Sequence, residues 1–197
     1  GMGVDLVKVI QSGESVTERV WAKEDYFTDE EIAVIVEESH RVGRRVATHA
    51  RSAESCAKAV RHGIDILYHM TYIDDATMDL LEQRKDSVFV APGLHWLIAT
   101  CEEADVFGYE RSRAELVGYG EELEVSIEGR KEMHRRGIKV LPGGDYGFAW
   151  TPHGTNARDL QHFVERLGFT PMEAIRAATV YGGEIMQDAK LGNVLPG

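Results

Sequence analysis

Positive charge is scarce in this 197-residue chain: 22 lysines and arginines face 33 aspartates and glutamates, for a formal net charge of −11. Nucleic-acid binding relies on basic side chains that displace phosphate counterions, so the balance argues against a nucleic-acid partner. The basic pairs that do occur, Arg44-Arg45 and Arg135-Arg136, sit beside turns and read as solvated helix ends. Cysteine is nearly absent. Cys56, in a helix-like run, and Cys101, in a loop, are too few for a disulfide framework and read as free thiols. Long hydrophobic runs are missing as well: none approaches the roughly 18 apolar residues of a membrane helix, so no membrane partner is expected. No secretory leader is visible, and a cytoplasmic location is expected. The chain opens Gly1-Met2, where a glycine ahead of methionine reads as a leftover of expression engineering, with the native or a truncated start at Met2. No period of 20–50 residues marks a solenoid.

What is present is a steady alternation of strand-like and helix-like segments. Residues 4–10 form an apolar run of high β propensity, followed by a polar loop over 11–27. Thr28-Asp29-Glu30-Glu31 is a capping box, Ile32, Ile35 and Val36 recur at helical spacing, and Gly43 ends the helix. Residues 45–49 are the second strand, and Ser52 caps a helix that ends at Gly63. Residues 64–69 are the third strand; Asp74 or Asp75 starts a short helix carrying Met78 and Leu81. Residues 87–90 are the fourth strand, broken by Pro92, and 93–108 read as a long aromatic and acidic loop. One helix is predicted over 111–136, closed by Gly137, and 139–141 is the fifth strand. After an irregular stretch over 146–155, helices are predicted near 156–167 and 170–179, the second with Thr170 as cap, Pro171 in its first turn and Glu173 at the capping-box position. The tail, 191–197, reads as the start of a strand. Such alternation gives a parallel sheet covered by helices. Five units are too few for an eight-stranded barrel of about 250 residues, so the sheet is an open one or part of a barrel.

Four residues able to hold a divalent metal each close a strand-like run: Lys8, His49, His69 and Asp145. A parallel barrel brings its strand ends to one rim, where distant residues converge. A single histidine at a strand end is commonly a hydrogen-bonded core residue; two in matching positions weigh about evenly between that role and metal ligation. Asp145 sits in Gly143-Gly144-Asp145-Tyr146-Gly147, where glycines permit a sharp turn and close approach of a ligand, or simply a turn closed by the carboxylate. A lysine ending a strand often snorkels outward; desolvated, it becomes a nucleophile able to form a Schiff base or a carbamate. His40, His62, His134 and His162 fall on helices and read as solvated, whereas His95 and His153 lie in loops and are candidates for substrate contact. Trp96, Tyr146, Phe148 and Trp150 could line an apolar pocket.

The segments Val4-Asp5-Leu6-Val7-Lys8-Val9, Val46-Ala47-Thr48-His49-Ala50, Leu67-Tyr68-His69 and Gly143-Gly144-Asp145 occur in the order seen in the amidohydrolase superfamily. Further matches are His153-Gly154-Thr155-Asn156, the run from Thr170 to Thr179, and the tail from Leu191 to Gly197. The chain most resembles the imidazolonepropionase-like and Xaa-Pro dipeptidase-like branch. The resemblance implies a partial TIM (β/α)8 barrel, about strands 4 to 8 with their helices, forming a single domain over residues 1–197 that is truncated at both ends. It implies that Lys8 is the carboxylated, metal-bridging lysine, His49 and His69 the ligands of the next two strands, and Asp145 the aspartate that binds metal and shuttles the proton. Tyr26 resembles a substrate-contacting tyrosine, and His153 is a second candidate contact. The implied reaction is hydrolysis of an amide bond in a dipeptide, N-acyl amino acid or cyclic amide by metal-activated water.

Two elements of the family pattern are expected to be missing: the small β-rich domain that flanks the barrel, and the paired His-x-His of the first barrel strand, since no two of the eight histidines are two residues apart. A site without that pair would hold at most one zinc-like ion, weakly. A barrel without strands 1 to 3 exposes sheet edges and an apolar interior, which favours a homo-oligomer. Two alternatives stand beside the hydrolase: a catalytically inactive, self-associating fragment, and a Schiff-base lyase using Lys8.

Overall fold

The computed structural model describes residues 3–14, 22–194 and 196. Five strands, β1 (Leu6–Ile10), β2 (Arg45–Ala50), β3 (Ile66–His69), β4 (Phe89–Ala91) and β5 (Lys139–Val140), form one sheet whose spatial order is also the chain order. Every neighbouring pair is parallel. The crossovers carry α1 (Asp29–Arg41), α2 (Ala53–Arg61), α3 (Asp75–Gln83), and then α4 (Leu94–Glu102), α5 (Arg111–Leu116) and α6 (Tyr119–Arg135); α7 (Arg158–Leu167) and α8 (Pro171–Ile185) come after β5. An open doubly wound sheet reverses its strand order at a switch point. This one never does, which is the topology of part of a barrel.

The helices begin where the sequence provides caps. The Thr28 hydroxyl accepts from the Glu31 amide at 3.2 Å, and Glu31 accepts from the Thr28 amide at 2.9 Å. Thr170 and Glu173 repeat the arrangement at α8, and Asp74, rather than Asp75, caps α3 by accepting from the Thr77 amide at 2.8 Å. Each such cap contributes about 1 kcal/mol.

The two faces of the sheet bury different things. Val46, Leu67, Val90 and Val140 pack outward against Ile32, Val36, Val60, Leu81 and Phe163 of the helices. Ala47, Ile66, Phe89 and Leu141 form a second cluster on the inner face. That inner face was expected to be bare; instead Tyr181 and Ile185, at the end of α8, pack against it. Arg45 fixes this end by donating to the Glu184 and Ile185 carbonyls at 3.2 and 2.9 Å, and the Lys139 amine meets the Glu184 carboxylate at 2.6 Å. Among the described residues, only β1 keeps its inner face open, with Leu6 38% and Ile10 58% exposed.

Several elements differ from expectation. The segment read as a loop over 93–108 contains α4 and a 3-10 turn, Ala104–Phe107, so Cys101 is helical. Leu94 to Thr100 are all buried. A helix covered on every side shows no polar–apolar alternation for a sequence reading to detect. The single helix over 111–136 is two, parted at Gly118, whose φ of 87° is left-handed. The last helix runs on to Ile185 rather than stopping at 179. Beyond it the tail crosses back over α8 in backbone contact, which only Gly183 and Gly192 permit. A Cβ on Gly192 would lie 2.0 Å from the Thr179 carbonyl oxygen, and one on Gly183 would lie 2.3 Å from that of Leu191. The described tail residues form no strand, and Leu195 and Gly197 lie outside the described residues. In the loop over 11–27, residues 15–21 also lie outside; the rest closes through a Ser12–Asp25 bridge.

Candidate active site

The mouth of the sheet is built by strand ends. His49 lies in β2 on the inner face, in register with Ile10 and Tyr68. Its ring nitrogen Nε2 is 3.1 Å from the Gly13 carbonyl. Strand alternation would send the His69 side chain outward with Leu67. Instead His69 and Met70 take left-handed φ values of 68° and 53°. The chain turns there, and the His69 ring meets the His49 ring edge-on with centroids 4.4 Å apart. Arg130 of α6, fully buried, donates to the Met70 carbonyl at 3.0 Å and holds the turn.

Asp145 lies just past β5 with a φ of 58°, between Gly144 at 112° and Gly147 at 114°. A non-glycine residue there costs about 1–3 kcal/mol and persists only where its surroundings impose it. The approach is close: a Cβ on Gly93 would lie 3.2 Å from Asp145 Oδ2 and 3.5 Å from His69 Nδ1, so a side chain at that position would intrude on both. His69 Nδ1 and Asp145 Oδ2 are 3.8 Å apart.

Beneath them lies a residue that has no signature in the sequence. Arg51, one place beyond β2, has a side chain only 1% exposed, and its Nη2 lies 2.8 Å from Glu14 and 3.8 Å from Asp145. Its Nη1 donates to the buried Glu122 carboxylate. Burial opposes the charge, but Glu122, Glu14 and Asp145 outweigh it and keep the guanidinium protonated. Burial, with Arg51 second, pushes the His49 imidazole down to about 4. His69 is likewise held well below its ordinary value by burial, Arg51 and His49. Burial raises the Asp145 carboxyl while Arg51 pulls it the other way. The mouth therefore presents two imidazoles that burial keeps neutral and a carboxyl whose acidity burial weakens.

The remaining candidates are more peripheral. Lys8 is exposed, with its amine 4.7 Å from the centre of the Tyr68 ring. Tyr26 is 47% exposed, in the loop after β1. His153 is exposed beyond β5; a Cβ on Gly147 would lie 3.4 Å from its Nε2. His95 is not a loop residue free to touch substrate: it is fully buried in α4 and pairs with His162 of α7 at 3.2 Å. His162, read as solvated, is buried with it. A cavity of about 250 Å³ opens at the mouth, lined by Ile10, Glu14, His49, Trp96, Asp145 and Phe148. Trp96 and Phe148 thus line a pocket as expected, whereas the Tyr146 hydroxyl donates to Asp159 and the Trp150 indole to Thr100.

The donor chemistry suits a divalent cation: neutral imidazoles and a carboxylate are its usual ligands. His69 Nδ1 is buried and makes no hydrogen bond, which is how an imidazole nitrogen is left when its partner is a ligand rather than a neighbouring side chain. Among the described residues, no three His, Cys, Asp or Glu side chains close around a common point. The donors are therefore gathered but do not form a cage.

Comparison with known proteins agrees with the resemblance. The profile of the amidohydrolase family matches residues 23–197. Ochratoxinase from Aspergillus niger is 28% identical over 177 residues, covering 90% of this chain and 35% of that enzyme. The crystal structure of an amidohydrolase superposes with a TM-score of 0.84 at 25% identity, over 100% of this chain and 46% of the other. A Xaa-Pro dipeptidase with methionine in its active site gives a TM-score of 0.81 at 24% identity, over 99% and 47%. The chain spans about a third of the length of its curated relatives and under half of these structures, and its sheet is a partial (β/α)8 barrel. By fold, strand order and profile, this chain belongs to the amidohydrolase family.

Proposed function

We propose that this chain supplies part of the active site of a metal-dependent hydrolase that cleaves the amide bond of a dipeptide, an N-acyl amino acid or a cyclic amide. The observation that carries this reading is the meeting of His49, His69 and Asp145 from three separate strand ends, with imidazole centroids 4.4 Å apart and a carboxylate 3.8 Å from His69. His49, His69 and Asp145, with Lys8 as a carbamate, would hold one zinc-like ion loosely; such an ion polarises water and the scissile carbonyl.

The chain's own groups do the rest. Asp145 accepts a proton from the attacking water as its oxygen bonds to the carbonyl carbon. It then passes that proton to the nitrogen as the carbon–nitrogen bond breaks, releasing a carboxylic acid and an amine. Burial raises the Asp145 carboxyl above the ordinary carboxylate range, which favours its taking up a proton. Trp96, Phe148 and Ile10 provide apolar walls for the substrate. Tyr26 and His153, in exposed loops on either side, are the proposed further substrate contacts. The lyase alternative draws no support from Lys8, because a Schiff-base lysine works desolvated and this amine is exposed.

The test is to supply zinc and bicarbonate and assay a panel of dipeptides, N-acyl amino acids and cyclic amides. Turnover is expected, and Asp145→Asn should lower kcat by at least about 100-fold. Absence of turnover across the panel, or full activity in the variant, would contradict the proposal.

A further inference from the structure

Asp159, in the first turn of α7, is fully buried and takes no part in the chemistry above. Its two oxygens hold three groups around Asp145. Oδ2 accepts from the Gly143 amide at 3.0 Å and from the Tyr146 hydroxyl, on the two sides of Asp145 in sequence. Oδ1 accepts from the backbone amide of His95 at 3.1 Å. That amide belongs to the first turn of α4, whose cap residue Gly93 offers no side-chain bond. One carboxylate therefore caps α4 from outside and fastens the β5 loop to it. The two fastened segments also touch each other. The Gly93 amide donates to the Gly143 carbonyl at 3.2 Å, and a Cβ on Gly144 would lie 3.2 Å from Gly93 Cα.

Without such a fastening the loop has little reason to keep its shape. Gly143 and Gly144 have φ values of 124° and 112°, and Asp145 is left-handed at 58°. Beyond it, the Thr151 hydroxyl donates to the Asp145 carbonyl at 3.0 Å, which closes the far side of the loop. The near side rests on Asp159 and on the Gly93–Gly143 backbone bond that Asp159 brackets.

We propose that Asp159 is a positioning residue: a buried carboxylate that fixes Asp145 at the mouth by tying Gly143, Tyr146 and the start of α4 to one point. Its catalytic consequence rests on the hydrolase reading, but its structural consequence does not. Hydrogen–deuterium exchange separates the two. In Asp159→Ala, amide exchange over residues 143–147 is expected to rise by at least about ten-fold, while β2 and α2 stay near their wild-type rates. Asp159→Asn, which keeps an acceptor, should fall between. Where wild-type turnover is measurable, Asp159→Ala should lower kcat by about 100-fold with little change in KM. Should Asp159→Ala not fold, Asp159→Asn and Tyr146→Phe carry the test, each loosening the same segment several-fold. Unchanged exchange over 143–147 in the folded variants overturns the proposal, even if the wild type is an active hydrolase. A loosened loop in a chain with no turnover leaves the proposal standing and removes the hydrolase reading instead.

Discussion

The two flanks of the candidate site are built to different standards. On the β3–β5 side, His69 is buried, Met70 is held by Arg130, and Asp145 sits between Gly93 and a loop tied by Asp159. On the β1 side, Leu6, Lys8 and Ile10 are exposed, and the Lys8 amine rests over an aromatic ring. Backbone strain at the mouth is found on the enclosed side, at His69, Met70 and Asp145, where packing and buried charge sustain it. His69 and Asp145 are thus held firmly on the enclosed side, while the flank that bears Lys8 is open.

The sharpest contrast should come from Arg51. Replacing it with alanine strands the buried Glu122 carboxylate, and urea denaturation should show a loss of about 3–5 kcal/mol. A loss under about 1 kcal/mol would mean the buried network is not the keystone of the enclosed side.

Two glycines give a smaller and more local comparison. Gly93→Ala and Gly43→Ala both force a left-handed alanine, at φ of 65° and 69°, at a cost of about 1–2 kcal/mol each. Only at Gly93 does the new methyl meet Asp145, at 3.2 Å; nothing lies within 4 Å at Gly43. Activity should therefore fall in the first variant alone, and equal activity in both would count against the close approach.

Acid should weaken the enclosed side next. Burial holds the His95 and His162 imidazoles below their ordinary value. The unfolded chain, with imidazoles near about 6.5, then binds more protons than the native one. Their contribution is complete above that pH and is lost as pH falls toward the native values. The melting temperature should drop between pH 7.5 and 5.5, and the drop should shrink in a His95→Gln/His162→Gln variant. The least effect on stability is expected at β1: Ile10→Lys should change it by no more than about 0.5 kcal/mol. If the open edge drives self-association, light scattering should show this variant shifted toward monomer. A wild type that is already monomeric removes that expectation.

These contrasts also mark what the sequence could and could not show. Thr28 and Thr170 announce their helices because a capping box is local. The positions of His49 and Asp145 near strand ends were legible because short β runs and glycine turns leave local signatures. α4 was hidden because its residues are buried all round. Arg51 was missed because its partner Glu122 is 71 positions away, and Asp159 because it caps a helix 64 positions earlier. Nothing local distinguishes a buried salt-bridged arginine, or a bracing aspartate, from a solvated one.

The central claim is that His49, His69 and Asp145 act together on one divalent cation. Titration of metal-free protein with zinc, followed calorimetrically, tests it most directly. The account predicts at most one ion per chain, with binding lost in each of His49→Ala, His69→Ala and Asp145→Ala. Two tightly held ions per chain, or binding indifferent to all three substitutions, would contradict it.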